Sequence, residues 1–326
     1  MKIGILTSGG DSPGMNAAIR AVVRTALFHD CKVYGIKRGY SGLLNGDIIP
    51  LHSRSVGDIL QRGGTILQSA RCPAFKTPEG QATAKEQLLK MGLNALVIIG
   101  GDGSFKGAQV LNKMGFQTVG IPGTIDNDIG CTDYTIGFDT AVNTVLDAVN
   151  KIRDTASSHN RVYIVEVMGK LSGFIAAAAG LTGGAESVLV PELPADLDAL
   201  CKKINKNLSH GKTHSIVLVA EGFYGDPVDA DQSSAFKVGR FVAEHTGCET
   251  RITVLGHIQR GGTPTFFDRK IATLMGAKAV ELILAGETEK MVGIVKDRID
   301  VFDMDDAINE HKRVDPQLIE LINILS

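Results

Sequence analysis

Two carboxylates stand two residues apart in Pro122-Gly123-Thr124-Ile125-Asp126-Asn127-Asp128, beside a hydroxyl and directly after an apolar run. That set suits phosphoryl transfer: one acid takes a proton from an acceptor hydroxyl while the other organises metal or water. An Asx-rich turn explains one aspartate readily, but both less well. A second cluster is Ile99-Gly100-Gly101-Asp102-Gly103-Ser104. Glycines admit phosphate oxygens to the backbone, and a helix starting near Ser104 aims its N–H groups at them. Asp102, at the end of a strand, is placed to meet a hard cation directly or through water. The bland alternative is a strand-to-helix turn with Ser104 as its N-cap. The third cluster, Thr7-Ser8-Gly9-Gly10-Asp11-Ser12-Pro13-Gly14-Met15-Asn16, is another glycine turn opening a helix. Its spacing is neither the dinucleotide fingerprint nor a P-loop, and standing alone Asp11 or Ser12 reads as a helix cap.

A basic set remains in Arg71, Arg161, Arg251, His257 and Arg260. Arginine suits phosphate because its planar fork binds bidentately. Gly256-His257-Ile258-Gln259-Arg260-Gly261-Gly262 puts two such donors on one glycine-bounded loop, although each residue singly reads as a solvated charge.

Positioning these groups falls to short apolar runs that alternate with stretches of helical length. Strands are expected at 3–6, 33–36, 95–99, 118–121, 162–167, 187–190, 216–220 and 252–255, and helices at 17–27, 82–90, 140–157, 197–208, 235–245 and 270–284. That alternation predicts parallel sheets with right-handed crossovers. In such sheets ligands gather beyond the carboxyl ends of the strands. Nearly every glycine- or charge-rich cluster follows a strand: 7–16, 100–104, 122–128, 166–170, Glu221 and 256–262. Six such loops together look like an active site.

The 326 residues suit two α/β domains, with 44% hydrophobic and 21% charged residues as in folded globular proteins. A net charge of −2 gives no electrostatic reason for a nucleic-acid or membrane-surface partner. The 38 glycines fit many tight turns and close approaches. Five scattered cysteines lack zinc spacing and fit a reducing compartment. With no apolar leader at MKIGILTSGGD and no membrane-length segment, a cytoplasmic location is expected.

TSGGDSPGMNAAIR, GGDGS, PGTIDND, VMGK and LGHIQRGG, in this order, resemble the bacterial ATP-dependent 6-phosphofructokinases over nearly the whole chain. The resemblance implies two Rossmann-like three-layer α/β domains with mainly parallel sheets and an active site in the cleft between them. It divides the chain into an ATP-binding domain, 1–137 with 258–305, and a fructose 6-phosphate-binding domain, 138–257 with 306–326. It places ATP against Gly10, Arg71, Cys72, Gly101, Asp102, Gly103 and Ser104, with Asp102 serving Mg2+. Thr124, Ile125 and Asp126 match the sugar segment, with Asp126 the base for the fructose 1-hydroxyl. Magnesium and Arg71 would steady the transferring phosphoryl group. Met168, Gly169, Lys170 and Glu221 match positions lining the sugar; Arg161, Arg251, His257 and Arg260 match the clamp on its 6-phosphate. In the family Arg161 and Arg251 reach in from a neighbouring subunit, which implies a homotetramer. Arg20, Arg24, Arg54, Arg153, Gly184, Glu186, Lys212, Thr213 and His214 match the pocket for the effectors ADP and phosphoenolpyruvate.

Several departures stand out. Lys170 replaces the usual arginine with a compact point charge. Ser53 stands where a relative has arginine, with Arg54 displaced by one, and His210 replaces a lysine. Weak effector coupling is expected from these changes. The loop 222–234 is longer than usual; its Asp226, Asp229 and Asp231 suggest a solvated loop rather than a calcium site. Two competing readings are a pyrophosphate-dependent phosphotransferase and a non-catalytic nucleotide sensor of the same fold. The former generally carries Asp at the Gly103 position and Lys at the Gly123 position. Glycine at both favours ATP, and retention of Asp102 with Asp126 favours an enzyme.

Overall fold

The computed structural model describes residues 1–156, 161–225 and 233–326. In chain order its elements are β1 (Lys2–Thr7), α1 (Met15–Phe28), β2 (Lys32–Ile36), α2 (Gly39–Asn45), β3 (Ile48–Leu51), α3 (Pro78–Met91), β4 (Ala95–Gly100) and α4 (Asp102–Lys113). There follow β5 (Gln117–Pro122), α5 (Phe138–Ala156), β6 (Arg161–Val167), α6 (Phe174–Gly183), β7 (Ser187–Leu189), α7 (Leu197–Ser209) and β8 (His214–Ala220). The last are α8 (Ser234–Thr246), β9 (Thr250–Val254), α9 (Phe266–Leu284), β10 (Lys290–Val295), β11 (Arg298–Asp303), α10 (Met304–Asn309) and α11 (Pro316–Leu325).

These elements form two compact units. The first comprises Met1–Ile125, Ile129–Thr140 and Arg260–Lys312. Its sheet has the order β11-β10-β5-β4-β1-β2-β3. The interior pairs are parallel, and β3 and β11 run antiparallel at the edges. Strand β4, Ala-Leu-Val-Ile-Ile-Gly, is buried along its whole length, as a strand covered on both faces must be. Its alternate side chains feed two cores. Val97 and Ile99 join Ile3, Ile5 and Ile121 under Ile19 and Val22 of α1 and Ile271 and Met275 of α9. Leu96 and Ile98 join Leu6 under Leu88 of α3 and Phe105 and Leu111 of α4. Each such side chain contributes roughly 1.5–3 kcal/mol on leaving water, and the outcome is three layers.

The second unit comprises Asp126–Asp128, Ala141–Gln259 and Arg313–Ser326. Its all-parallel sheet has the order β7-β8-β6-β9. One face packs Val162, Ile164, Val217 and Val219 against Leu200 and Ile204 of α7 and Val238 and Val242 of α8. Helix α6 packs on β7 and β8. The mixed α/β fold with mainly parallel sheets is as the alternation of runs predicts. Among the described residues no helix is long and apolar enough to cross a membrane.

A buried carboxylate organises the first unit. Asp268, at 0% exposure, accepts from Gly137 N and Thr140 N at 2.8 Å each and from Thr140 Oγ1 at 2.5 Å. Burial pushes its carboxyl up to about 6 despite these hydrogen bonds. A folded-state pKa above the unfolded value means the native state holds the proton more tightly. The stabilisation is therefore present at low pH and fades as pH rises through about 6. The stability advantage of the wild type over Asp268→Asn should shrink between pH 4 and 6 by about 2 kcal/mol, the slope approaching about 1.36 kcal/mol per unit only midway between the two pKa values. Urea midpoints of both proteins across that range check it; a constant difference would remove Asp268 from the role.

Candidate active site

Register, not chance, gathers the first three clusters. Strands β1, β4 and β5 run parallel with Thr7 beside Ile99, Ile99 beside Ile121, and Gly100 beside Pro122. All three therefore end at one edge of the sheet, and the glycine turn, the GGDGS segment and Thr124 emerge together. Ser8 N donates to Ile99 O at 3.0 Å, and Gly123 N donates to Gly100 O at 3.0 Å. A Cβ at Gly101 would lie 3.9 Å from Thr124 Cβ. The segment around Arg71 and Cys72 is tied to the same edge. Thr7 Oγ1 donates to Gln68 O at 2.8 Å, and Ser69 Oγ donates to Gly9 O. Arg71 follows, exposed.

Neither of the bland cap readings holds. Helix α4 starts at Asp102 with Gly101 as N-cap, so Ser104 does not cap it. Ser104 is instead 3% exposed, and its carbonyl accepts from Tyr40 Oη at 2.6 Å. Neither Asp11 nor Ser12 caps α1: the N-cap is Gly14, left-handed at φ 104° with no side-chain bond. The backbone turn replaces the side-chain cap, and Ser12 lies fully buried. Gly103 is exposed, and a Cβ built on it meets nothing within 4 Å. The start of α4 thus presents open space at the Gly103 position, the residue after Asp102.

The segment carrying the paired aspartates crosses from one unit to the other, with Thr124 and Ile125 in the first and Asp126 to Asp128 in the second. Ser172 Oγ donates to Asp126 O at 2.9 Å, fixing the backbone that bears the carboxylate. The carboxyl edge of the second sheet holds Met168, Gly169, Lys170 and Glu221, because Val167 pairs with Ala220 in register. Lys170 is exposed and left-handed at φ 57°. Glu221 Oε1 accepts from Lys170 N at 2.7 Å and Gly169 N at 3.3 Å, so its carboxylate supports this loop. Gln259, at 0% exposure, accepts from Met168 N at 3.3 Å and donates to Gly256 O at 3.0 Å. It was not singled out from the sequence, where it is one letter of a glycine-bounded loop.

Within the second unit Arg161 and Arg251 lie at the opposite end of the sheet from His257. Arg161 opens β6, and Arg251 pairs in register with Tyr163 near the start of β9. Glu249 holds both: Arg161 Nε donates to its Oε2 at 2.7 Å, and Arg251 Nη2 pairs with its Oε1. His257 stands past the far end of β9, exposed. Arg251 thus stands about 10 Å of strand, at about 3.3 Å per residue, before the end of β9 that precedes His257, and Arg161 lies at the same opening end of the sheet. Arg260 belongs to the first unit, its guanidinium against Gly10.

Of the residues matched to the effector pocket, Arg20 and Arg24 share a face of α1 and Arg54 lies exposed in a 3-10 turn at Ser53–Val56. In the second unit Arg153 donates to the carbonyls of Gly183 and Gly184, and Lys212 pairs with Glu186 at 2.8 Å. Thr213 Oγ1 meets His214 Nδ1 at 3.3 Å. The aspartates Asp226, Asp229 and Asp231 of the long loop lie outside the described residues.

The comparisons with known proteins agree with this geometry. Residues 2–283 match the family described as Phosphofructokinase. A curated relative from Halothermothrix orenii, named ATP-dependent 6-phosphofructokinase, is 56% identical and covers 100% of this chain and 99% of its own. The solved phosphofructokinase of Saccharomyces cerevisiae superposes with a TM-score of 0.86 at 36% identity over 94% of this chain. This chain spans only 45% of the yeast one. A pyrophosphate-dependent phosphofructokinase from Marinobacter aquaeolei superposes at 0.83 with 25% identity over 97% of this chain. Near-complete coverage by both sequence and fold, with the clusters gathered on the strand ends, places this chain in the phosphofructokinase family.

Proposed function

We propose that this protein is an ATP-dependent 6-phosphofructokinase, moving the γ-phosphoryl group of ATP to the 1-hydroxyl of fructose 6-phosphate. The observation that carries this reading is the shared strand edge of the first unit. It lines up two glycine turns, Asp102 and Thr124 with open space over Gly103. Pyrophosphate as donor is less supported, because a relative at 56% identity is named for ATP. A coupled assay offered ATP or pyrophosphate tests it: turnover with ATP is expected, and turnover with pyrophosphate alone would overturn it.

In this reading the N–H groups at the start of α4 and the glycine turn after β1 hold the donor phosphates. Arg71 neutralises charge on the transferring group. Mg2+ fits the donor set as a companion of ATP. Among the described residues no three His, Cys, Asp or Glu form a cage, so Asp102 and the phosphates would share the ion, as Mg2+ prefers. It supplies charge neutralisation at the phosphate oxygens. Asp126 takes the proton of the 1-hydroxyl, and Lys170 contributes positive charge at the acceptor side. The effector residues are read as a pocket for ADP or phosphoenolpyruvate.

The separation of Arg161 and Arg251 from His257 supports a site completed by a second copy of the chain. Arg251→Ala should raise the fructose 6-phosphate requirement by about 10–100-fold, the loss of a charged hydrogen bond, and leave that for ATP nearly unchanged. A shift confined to ATP would refute the clamp assignment. Mixed oligomers of Arg251→Ala and Asp126→Asn chains should regain some activity, since some sites would then carry neither change. No recovery in verified mixtures would argue for sites built from one chain.

A further inference from the structure

The turn after β1 and the loop before α9 touch through an absence. A Cβ built on Gly10 would stand 3.1 Å from Arg260 Cζ and Nη1 and 3.2 Å from Nη2. Three atoms at nearly equal distance mean that the guanidinium lies on the bare Cα of Gly10. Nearby, a Cβ on Gly63 would fall 2.3 Å from Gly262 O, so the backbone two residues past Arg260 is seated on a second glycine. Gly63 is itself held from the start of α1. Asn16, 1% exposed, donates from Nδ2 to Arg62 O at 3.0 Å and Gly63 O at 3.2 Å, and accepts from Ile66 N at 2.8 Å. The path from Gly10 through Asn16, Gly63 and Gly262 to Arg260 returns to Gly10 as a closed ring within one unit.

We infer that Gly10 is a positioning residue for Arg260. Its missing side chain forms the seat that fixes where the guanidinium points, making the donor-phosphate turn and a sugar-phosphate arginine one mechanical piece. This rests on the reading of Arg260 as part of the 6-phosphate clamp. A glycine kept only for close nucleotide approach would govern ATP alone; a glycine that seats Arg260 also governs fructose 6-phosphate. The methyl of Gly10→Ala meets only the tip of a flexible side chain, and Gly10 is not among the residues with positive φ. The backbone therefore tolerates alanine, and the displaced group is the guanidinium.

The experiment is a double-mutant cycle of Gly10→Ala and Arg260→Ala, read by fructose 6-phosphate titration, by KM for both substrates and by thermal midpoint. Gly10→Ala should raise the fructose 6-phosphate requirement about tenfold, on the scale of sub-ångström misplacement. In the Arg260→Ala background the same substitution should add nothing to that requirement, and any loss of thermal midpoint should vanish because the methyl then meets empty space. The midpoint arm holds even if Gly10→Ala alone folds poorly. An effect confined to ATP, or one that persists undiminished without the Arg260 guanidinium, overturns the inference while leaving the clamp intact. If Arg260→Ala itself spares fructose 6-phosphate affinity, the clamp reading fails and the inference falls with it.

Discussion

Asp126→Asn is expected to lower kcat by about 10²–10⁴-fold, the usual span for loss of a general base, with little change in either KM. The fold should survive, because the structure holds this position by its main chain: Ser172 Oγ binds the carbonyl of Asp126, and the neighbouring Asn127 is 4% exposed and left-handed at φ 54°. Asparagine keeps the shape and removes only the capacity to take a proton. Steady-state kinetics with ATP and fructose 6-phosphate, alongside a thermal melt, separate the two effects. Near-normal turnover in a folded variant would strip Asp126 of the role and shift attention to Asp128, which shares the unit. An equal fall in kcat and in thermal midpoint would mean that the carboxylate is structural.

Much of this site was legible because its residues follow strands whose buried runs announce themselves. Residues 3–6, 95–99 and 118–121 are nearly all apolar, and parallel pairing forces whatever comes next to a common edge. What escaped the sequence depends on tertiary partners. In the sequence Asn16 stands only as the last letter of a glycine turn and nothing singles out Asp268, yet each is buried and orders a segment more than forty residues away in sequence. Glu249 gains its meaning only when β6 and β9 pair and bring Arg161 and Arg251 to either side of it. Strand β3 was hidden by Pro50, which an edge strand tolerates because one side of its backbone makes no ladder bonds. Helix α6, Phe-Ile-Ala-Ala-Ala-Ala-Gly-Leu-Thr-Gly, lacks the polar face that gives a surface helix its period. The bland cap readings at Asp11, Ser12 and Ser104 fail for one reason: a glycine without a side-chain cap stands at the N-cap of both α1 and α4.

Gly103→Asp should cost at least about 10²-fold in kcat/KM for ATP without harming the fold. The position is the second residue of α4, exposed, not among those with positive φ, and its Cβ direction is open. An acidic side chain in the first turn even complements the helix dipole, so the thermal midpoint should hold or rise slightly. Function suffers because the same N-terminus is where the donor's phosphates are proposed to sit, and juxtaposed like charges cost several kcal/mol. The substitution copies half of the pattern that the family resemblance implies for pyrophosphate-dependent enzymes, and the other half has no room here. A Cβ on Gly123 would press to 2.9 Å from Ile99 Cγ2 and 3.2 Å from Met15 Cε, both in the fully buried core under α1. A lysine at that position requires those side chains to move, so Gly103→Asp alone should lose ATP turnover and gain no turnover with pyrophosphate. Assays with each donor at saturating fructose 6-phosphate decide it. Undiminished use of ATP would mean that the open space over Gly103 belongs to something other than the nucleotide.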